Sequence, residues 1–229
     1  MRIEHLSFSF DNQSDFFFKD LSVSFKPHQV HFIQGDNGIG KSTLLAVLQG
    51  SIPKQSVCSM RITVDGVTYD TQGSALPDAF LSQVHTVQQR YDRMIADQFT
   101  FMQNVRMAHM SRYPGLQQLP EAQLFDIVAD LAIDMHKPVY LLSGGQRQLL
   151  AIIMALQKTT KVLLLDEPTA TLDSHNTNMI IKVLRILAVR LKVTILVICH
   201  DTAVVKAHSH GNHYIMSVND AGNRILHKV

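Results

Sequence analysis

The stretch VHFIQGDNGIGKSTLLAVLQG, residues 30 to 50, constrains the fold of this chain more than any other. A short apolar run, VHFIQ (30–34), leads into the glycine-rich octet GDNGIGKS (35–42). KSTLLAVLQGSI (41–52) then carries Leu44, Leu45 and Leu48 at helical spacing. Strand, tight loop and helix in that order put the loop at the carboxyl end of a strand, the edge where open α/β sheets hold their ligands. Glycines let such a loop turn its N–H groups inward, and the open N-terminus of the following helix attracts an anion.

The octet fits G-x-x-x-x-G-K-[ST] with the required strand before it and helix after it. In that pattern the backbone of Gly35, Asp36, Asn37, Gly38, Ile39 and Gly40 wraps a β-phosphate, with Thr43 just beyond in the helix. Lys41 brings positive charge to the β- and γ-phosphates, and the Ser42 hydroxyl can ligate Mg²⁺.

The rest of the chain alternates strand and helix signals. RIEHLSFSF (2–10) and LSVSFK (21–26) alternate apolar with polar residues around a DNQSD turn and predict an antiparallel edge layer. RITVDGVTYD (61–70) predicts a hairpin at Asp65 and Gly66, and QVHTVQ (83–88) a further strand. Between residues 90 and 141 the pattern turns helical, with EAQLFDIVADLAIDM (121–135) as its clearest segment and Pro114, Pro120 and Pro138 as boundaries. A helix begun at Ser143, the strand KVLLLD (161–166), a helix from Ser174 to Leu191 and the strand VTILVIC (193–199) follow. Both strands are continuous apolar runs, as parallel strands buried on both faces require. HYIMSV and RILHKV predict a terminal hairpin.

Composition narrows the class. With 229 residues and 46% hydrophobic, the chain can bury one large core, alone or with a small insert. A formal net charge of +2 gives no basis for binding nucleic acid or an anionic membrane surface. Cys58 and Cys199 are far apart and make neither a disulfide framework nor a zinc site, which favours a reducing compartment. The N-terminus has no signal-peptide pattern, and residues 183–199 are broken by Arg185, Arg190 and Lys192, so the chain is expected to be soluble, docking on a membrane protein at most. HSHGNH (208–213) has no Cys or carboxylate to complete a metal site and is expected to be a surface loop.

Three further stretches carry chemistry. VLLLDEPTATLD (162–173) delivers Asp166 to a strand end, where it can hold Mg²⁺ through water. Glu167 follows; on extended chain the two side chains point to opposite sides, so Glu167 can act on an attacking water as general base. His200, at the end of VTILVICHD (193–201), can donate a hydrogen bond to a γ-phosphate. In YLLSGGQRQLLAIIMA (140–155) the small residues Ser143, Gly144 and Gly145 open a helix and make a second anion site. One nucleotide does not need two such turns.

GDNGIGKS, Gln88-Gln89, LSGGQ, VLLLDEP, ATLD and CHD, in that order, resemble the nucleotide-binding subunit of an ATP-binding cassette (ABC) transporter along essentially the whole chain. LSGGQ is the most specific of these motifs. The resemblance implies an α/β P-loop NTPase core with a mostly parallel sheet, an N-terminal antiparallel β layer and a small helical subdomain. As one domain, it would comprise a RecA-like core at about 1–89 and 142–229 and helices at about 90–141. Phe10 resembles the aromatic residue that stacks on adenine, with Phe16 to Phe18 as rivals. Gln89, or Gln88 beside it, resembles the Q-loop residue that reaches Mg²⁺ and water. Leu142 to Gln146 match the signature motif, Asp173 the D-loop aspartate and His200 the switch histidine. Asp36 and Thr160 stand where proline is frequent in the family.

The resemblance therefore implies an ATPase with ATP and Mg²⁺ as cofactors. Glu167, His200, Gln89 and Lys41 would be catalytic; Ser42, Gln89 and Asp166 would ligate the metal. Ser143, Gly144, Gly145 and Gln146 would close on the nucleotide of a second copy in a head-to-tail homodimer. An integral membrane permease and an extracytoplasmic substrate-binding protein are the implied partners, with the chain peripheral on the cytoplasmic side of the membrane. The intervening segment is most like bacterial importers, and its Phe99, Phe101 and methionines could receive a permease helix. A soluble cassette clamp of the iron–sulfur assembly type and an exporter or lipoprotein-release ATPase share the catalytic residues and differ in partner.

Overall fold

The structure is a computed structural model, and it describes residues 1–11, 16–73, 76–88, 94–109, 133–156 and 158–229. Its elements run β1 (Arg2–Ser9), β2 (Phe18–Ser24), β3 (Val30–Gln34), α1 (Lys41–Gln49), β4 (Val57–Val64), β5 (Val67–Gly73), α2 (Asp78–Leu81) and β6 (Val84–Val87). Then come α3 (Phe101–His109), a 3₁₀ turn (Val139–Leu141), α4 (Gly144–Ala155), β7 (Val162–Asp166), α5 (Ser174–Arg190), β8 (Thr194–Ile198), α6 (Thr202–His208), β9 (His213–Val218) and β10 (Arg224–Lys228).

Two sheets form, because the strands carry two kinds of sequence. Half-exposed, alternating segments build an antiparallel sheet in the order β2-β1-β4-β5. The continuous apolar runs build the second sheet, β10-β9-β3-β8-β7-β6, in which only the β9–β10 pair is antiparallel. Each apolar strand feeds two cores at once. Leu163, Leu165, Ile195 and Val197 pack with α4 and α5, while Val162, Leu164, Leu196 and Ile198 pack with Leu44, Leu45 and Leu48 of α1 and with β1. Full burial of each such side chain is worth about 1.5–3 kcal/mol, so sheet and helices stabilise one another.

Most expected elements are present, and the differences have physical reasons. The first helix ends at Gln49, short of residue 52, because Gly50 adopts a left-handed conformation and its N–H bonds to Val47 O at 3.0 Å. β2 begins at Phe18, since Phe17 N–H already bonds Phe8 O at 2.7 Å and carries the pairing back. The helix expected over 121–135 falls outside the described residues as far as 132; residues 133–135 are not helical, and Met135 O accepts from Met102 N–H at 3.0 Å. Residues 12–15 of the DNQSD turn also lie outside. The terminal hairpin exists but is no appendage: β9 joins the main sheet parallel to β3, pairing Phe32 with His213 and Gln34 with Ile215.

Candidate functional site

β3, β8 and β7 lie side by side, and Ile33 and Asp166 both pair with Ile198. Three loops therefore leave the sheet at one edge: the octet after Gln34, the His200 turn after Ile198 and the Glu167 turn after Asp166. Asn37, Gly38, Gly40, Lys41, Ser42, Thr43, Glu167 and His200 line a single cleft of 240 Å³ there.

The floor of that cleft is the start of α1. Gly40 precedes the helix at φ 117°, and a Cβ on it would lie 2.7 Å from the Phe17 ring, so only glycine fits. No side chain caps this helix and its first turn has no acidic residue, which leaves its N–H dipoles available to an anion. Lys41 is buried, and its Nζ donates to the carbonyls of Gly35 and Asp36 at 2.8 Å each. Desolvation holds its amine below the usual lysine value, opposed by the carboxylates of Glu167, Asp166 and Asp36. The loop thus satisfies its own lysine while keeping it among negative charge that a phosphate and a cation would rebalance.

Glu167 departs from expectation. Asp166 is the last residue of β7, and Glu167 has left the strand with φ 51°, its N–H bonded to Ile198 O at 3.1 Å. The two carboxylates diverge through a left-handed turn and not through the pleat of extended chain. A bulky non-glycine residue at positive φ is strained, and such strain persists where the surroundings enforce it, often at functional sites. The turn brings Glu167 Oε1 to 3.0 Å from His200 Nε2, which unites two candidates from separate strands. Asp201, quoted in the sequence only as part of CHD, anchors the His200 turn: its Oδ1 accepts from Ala203 N–H at 2.8 Å and Val204 N–H at 3.2 Å, capping α6. Asp166 does not line the cleft; it acts on Lys41 through its charge.

Ser143 caps α4 in a reciprocal box. Its Oγ accepts from Gln146 N–H at 3.3 Å, and Gln146 Oε1 accepts from Ser143 N–H at 3.1 Å. Gly145 is forced by a close approach, since a Cβ there would lie 2.4 Å from Asn176 Oδ1. Asn176 is in turn held by Asp173, whose carboxylate accepts from its N–H at 2.8 Å and its Nδ2 at 2.9 Å. The backbone bond from Asn176 holds the Asp173 carboxyl below its ordinary value. Ser143, Gly144, Gly145, Gln146 and Asp173 form a second unit, and none of them lines the cleft at α1.

The aromatic candidates separate by burial. Phe18 is fully buried, while Phe10 is 44% exposed and Phe16 42%. Phe17 sits between Gly40 and Arg224, with the Arg224 guanidinium 3.7 Å from its ring centroid. Phe10 packs edge-on to Phe17 and Phe8, at centroid distances of 5.2 and 5.0 Å. Arg224 and Asn176 had no local signal in the sequence: each is an ordinary polar residue until the fold sets it against a glycine loop. Gln89 lies outside the described residues; Gln88 follows β6 at the same sheet edge as the cleft. Among the described residues no group of three His, Cys, Asp or Glu side chains is placed to hold a metal by itself.

Residues 18–170 match the family model described as ABC transporter. The chain is 30% identical over 228 residues to a tyrosine transport ATP-binding protein of Clostridioides difficile (strain R20291), covering 94% of this chain and 87% of that protein. It is 31% identical over 215 residues to the methionine import ATP-binding protein MetN of Streptococcus pyogenes serotype M4 (strain MGAS10750), covering 90% of this chain and 59% of that longer protein. Among solved structures, cbiO1 from Clostridium perfringens, part of the ABC transporter complex cbiONQ, superposes with a TM-score of 0.72 at 26% identity, covering 98% of this chain and 86% of that one.

Proposed function

The chain belongs to the ABC transporter family, and from that premise we propose that it is the ATP-hydrolysing subunit of a bacterial importer, acting through a separate integral membrane permease. The observation that carries the ATPase reading is the convergence of Lys41, Glu167 and His200 with the open start of α1 in one cleft. The importer reading is supported by the transport and import proteins it is similar to. Among the described residues no helix is long and apolar enough to cross a membrane; the permease would hold this subunit peripherally, on the cytoplasmic side. An extracytoplasmic substrate-binding protein would deliver the solute.

The backbone of residues 35–40 and the first turn of α1 cradle the β- and γ-phosphates, and Lys41 leaves its carbonyl partners to pair with them. Ser42 and Asp166, with Gln89, would hold Mg²⁺ through oxygen ligands, and the ion would neutralise charge on the phosphate oxygens. The donor set fits a hard cation: a hydroxyl in the first turn of α1 and a carboxylate at the end of β7, with no soft ligand. Glu167 takes a proton from, or orients, the water that attacks the γ-phosphate in line, and His200 Nε2, now on Glu167, turns to the phosphate. Phe10 offers its exposed ring to adenine. Ser143 to Gln146 and Asp173 serve the nucleotide of a second copy, which explains why they lie outside this chain's own cleft.

Glu167→Gln keeps the shape and removes the base. Equilibrium binding of ATP should stay within about threefold, while turnover falls by about 10²–10⁴, the range of general-base catalysis. Turnover within about tenfold of the parent would remove Glu167 from that role.

A further inference from the structure

Arg224 opens β10 and lies between two segments that the sequence keeps far apart. Its Nε donates to the carbonyl of Ile39 at 2.9 Å, and its Nη1 donates to the carbonyl of Phe17 at 3.0 Å. The guanidinium of the same residue covers the Phe17 ring at 3.7 Å. Ile39 belongs to the phosphate-cradling loop, and Phe17 packs on Gly40 of that loop while supporting Phe10 edge-on at 5.2 Å. One planar cation thus ties the phosphate loop to the aromatic cluster whose exposed member is Phe10. The fork is particular to arginine: a lysine could cover the ring or reach a carbonyl, but could not hold two carbonyls in fixed directions.

The phosphate loop has β3 on one side and α1 on the other to order it. The Phe17 ring lies just ahead of β2, packed edge-on to Phe18 at 5.0 Å, and Arg224 and Gly40 close on it as well. We propose that Arg224 is a positioning residue for the nucleoside triphosphate: through Phe17 it sets the distance and tilt between the base platform at Phe10 and the loop that takes the phosphates. This rests on the reading of the cleft as an ATP site. Arg224 touches neither base nor phosphate; it acts through Phe17.

The test is a double-mutant cycle on the full chain, read by calorimetric binding of MgATP and by the split between KM and kcat. Arg224→Gln should weaken ATP binding and raise KM about tenfold with kcat within about twofold, the scale of a partly desolvated cation–π contact and its hydrogen bonds. In a Phe10→Ala background the same change should cost less than about twofold, since the platform it positions is gone. Arg224→Lys should fall between the parent and Arg224→Gln. Equal costs of Arg224→Gln with and without Phe10, an unchanged ATP affinity, or a loss confined to kcat would each overturn the proposal. Should Arg224→Gln fail to fold by circular dichroism, Phe17→Leu, which removes the ring but keeps the carbonyl, takes its place in the cycle with the same expectation. A parent chain that does not bind ATP at all would overturn the underlying reading of the cleft instead.

Discussion

At the residue scale, His31 shows what a strand at the centre of a sheet does to a titratable group. Its side chain is fully buried beside Phe25 and Tyr214, with Nε2 bonded to Lys26 O at 2.7 Å and Nδ1 without a hydrogen-bond partner. Burial pushes its pKa down from 6.5 to about 4, opposed by the Lys26 carbonyl and assisted by the charges of the Met1 amino group, Lys228 and Lys26. A histidine whose folded pKa is depressed adds stability above the unfolded value, and that stability is lost as pH falls toward the folded one. Between pH 7 and pH 5 this one group should therefore cost the fold about 2 kcal/mol, and His31→Phe should flatten that dependence by a similar amount. Denaturant midpoints at the two pH values measure it; an equal drop in both proteins would assign the acid sensitivity elsewhere.

At the element scale, the contact that matters most is between the starts of α4 and α5. Gly145 admits Asn176 only because it lacks a Cβ, and Asn176 is pinned by two bonds to Asp173. Gly145→Ala forces either the helices apart or Asn176 off its partner, and should destabilise the fold by about 1–3 kcal/mol. Asn176→Ala in the same chain, which removes the atoms at 2.4 and 2.7 Å and leaves Cβ at 3.0 Å, should recover part of the loss. Chemical denaturation of the pair and the single variants decides it, and purely additive losses would mean that the two residues do not share the strain.

The same scale shows what could be read in advance. β3, β7 and β8 were legible because unbroken apolar runs are strands buried on both faces, and α4 because the small residues Ser143, Gly144 and Gly145 open an apolar helical stretch; its capping box appears only in the structure. The lining of the cleft by Lys41, Glu167 and His200 followed from three motifs, each at the end of such a strand. The placement of β9 against β3 was not legible, since pairing across some 180 residues leaves no trace in local periodicity. The left-handed turn at Glu167 was hidden for a related reason: it is imposed by Ile198 of the neighbouring strand, not by the residue's own preference.

At the scale of the whole molecule, the cleft at α1 and the unit built on Ser143 look unrelated in one chain, and the proposed second copy would relate them. Ser143→Arg places a cation and bulk where a small cap stood. ATP binding by the isolated chain should remain within about threefold, while ATP-dependent dimerisation, followed by light scattering, and turnover should be lost by about tenfold or more. Equal loss of binding by the monomer would mean that the signature helix serves its own chain's nucleotide.

The parallel pairing of β9 with β3 also gives the molecule a direction in time. A ribosome delivers β3 and the glycine-rich loop long before β9, the strand that flanks β3 on one side, and before Arg224, which clamps Ile39. Until Met216 and Arg224 have emerged, β3 lacks its β9 partner and the loop lacks the Arg224 bond that ties Ile39 to Phe17. A chain interrupted before β9 should therefore hold its nucleotide loop less firmly than the whole protein does, and gain correspondingly less protection from bound nucleotide.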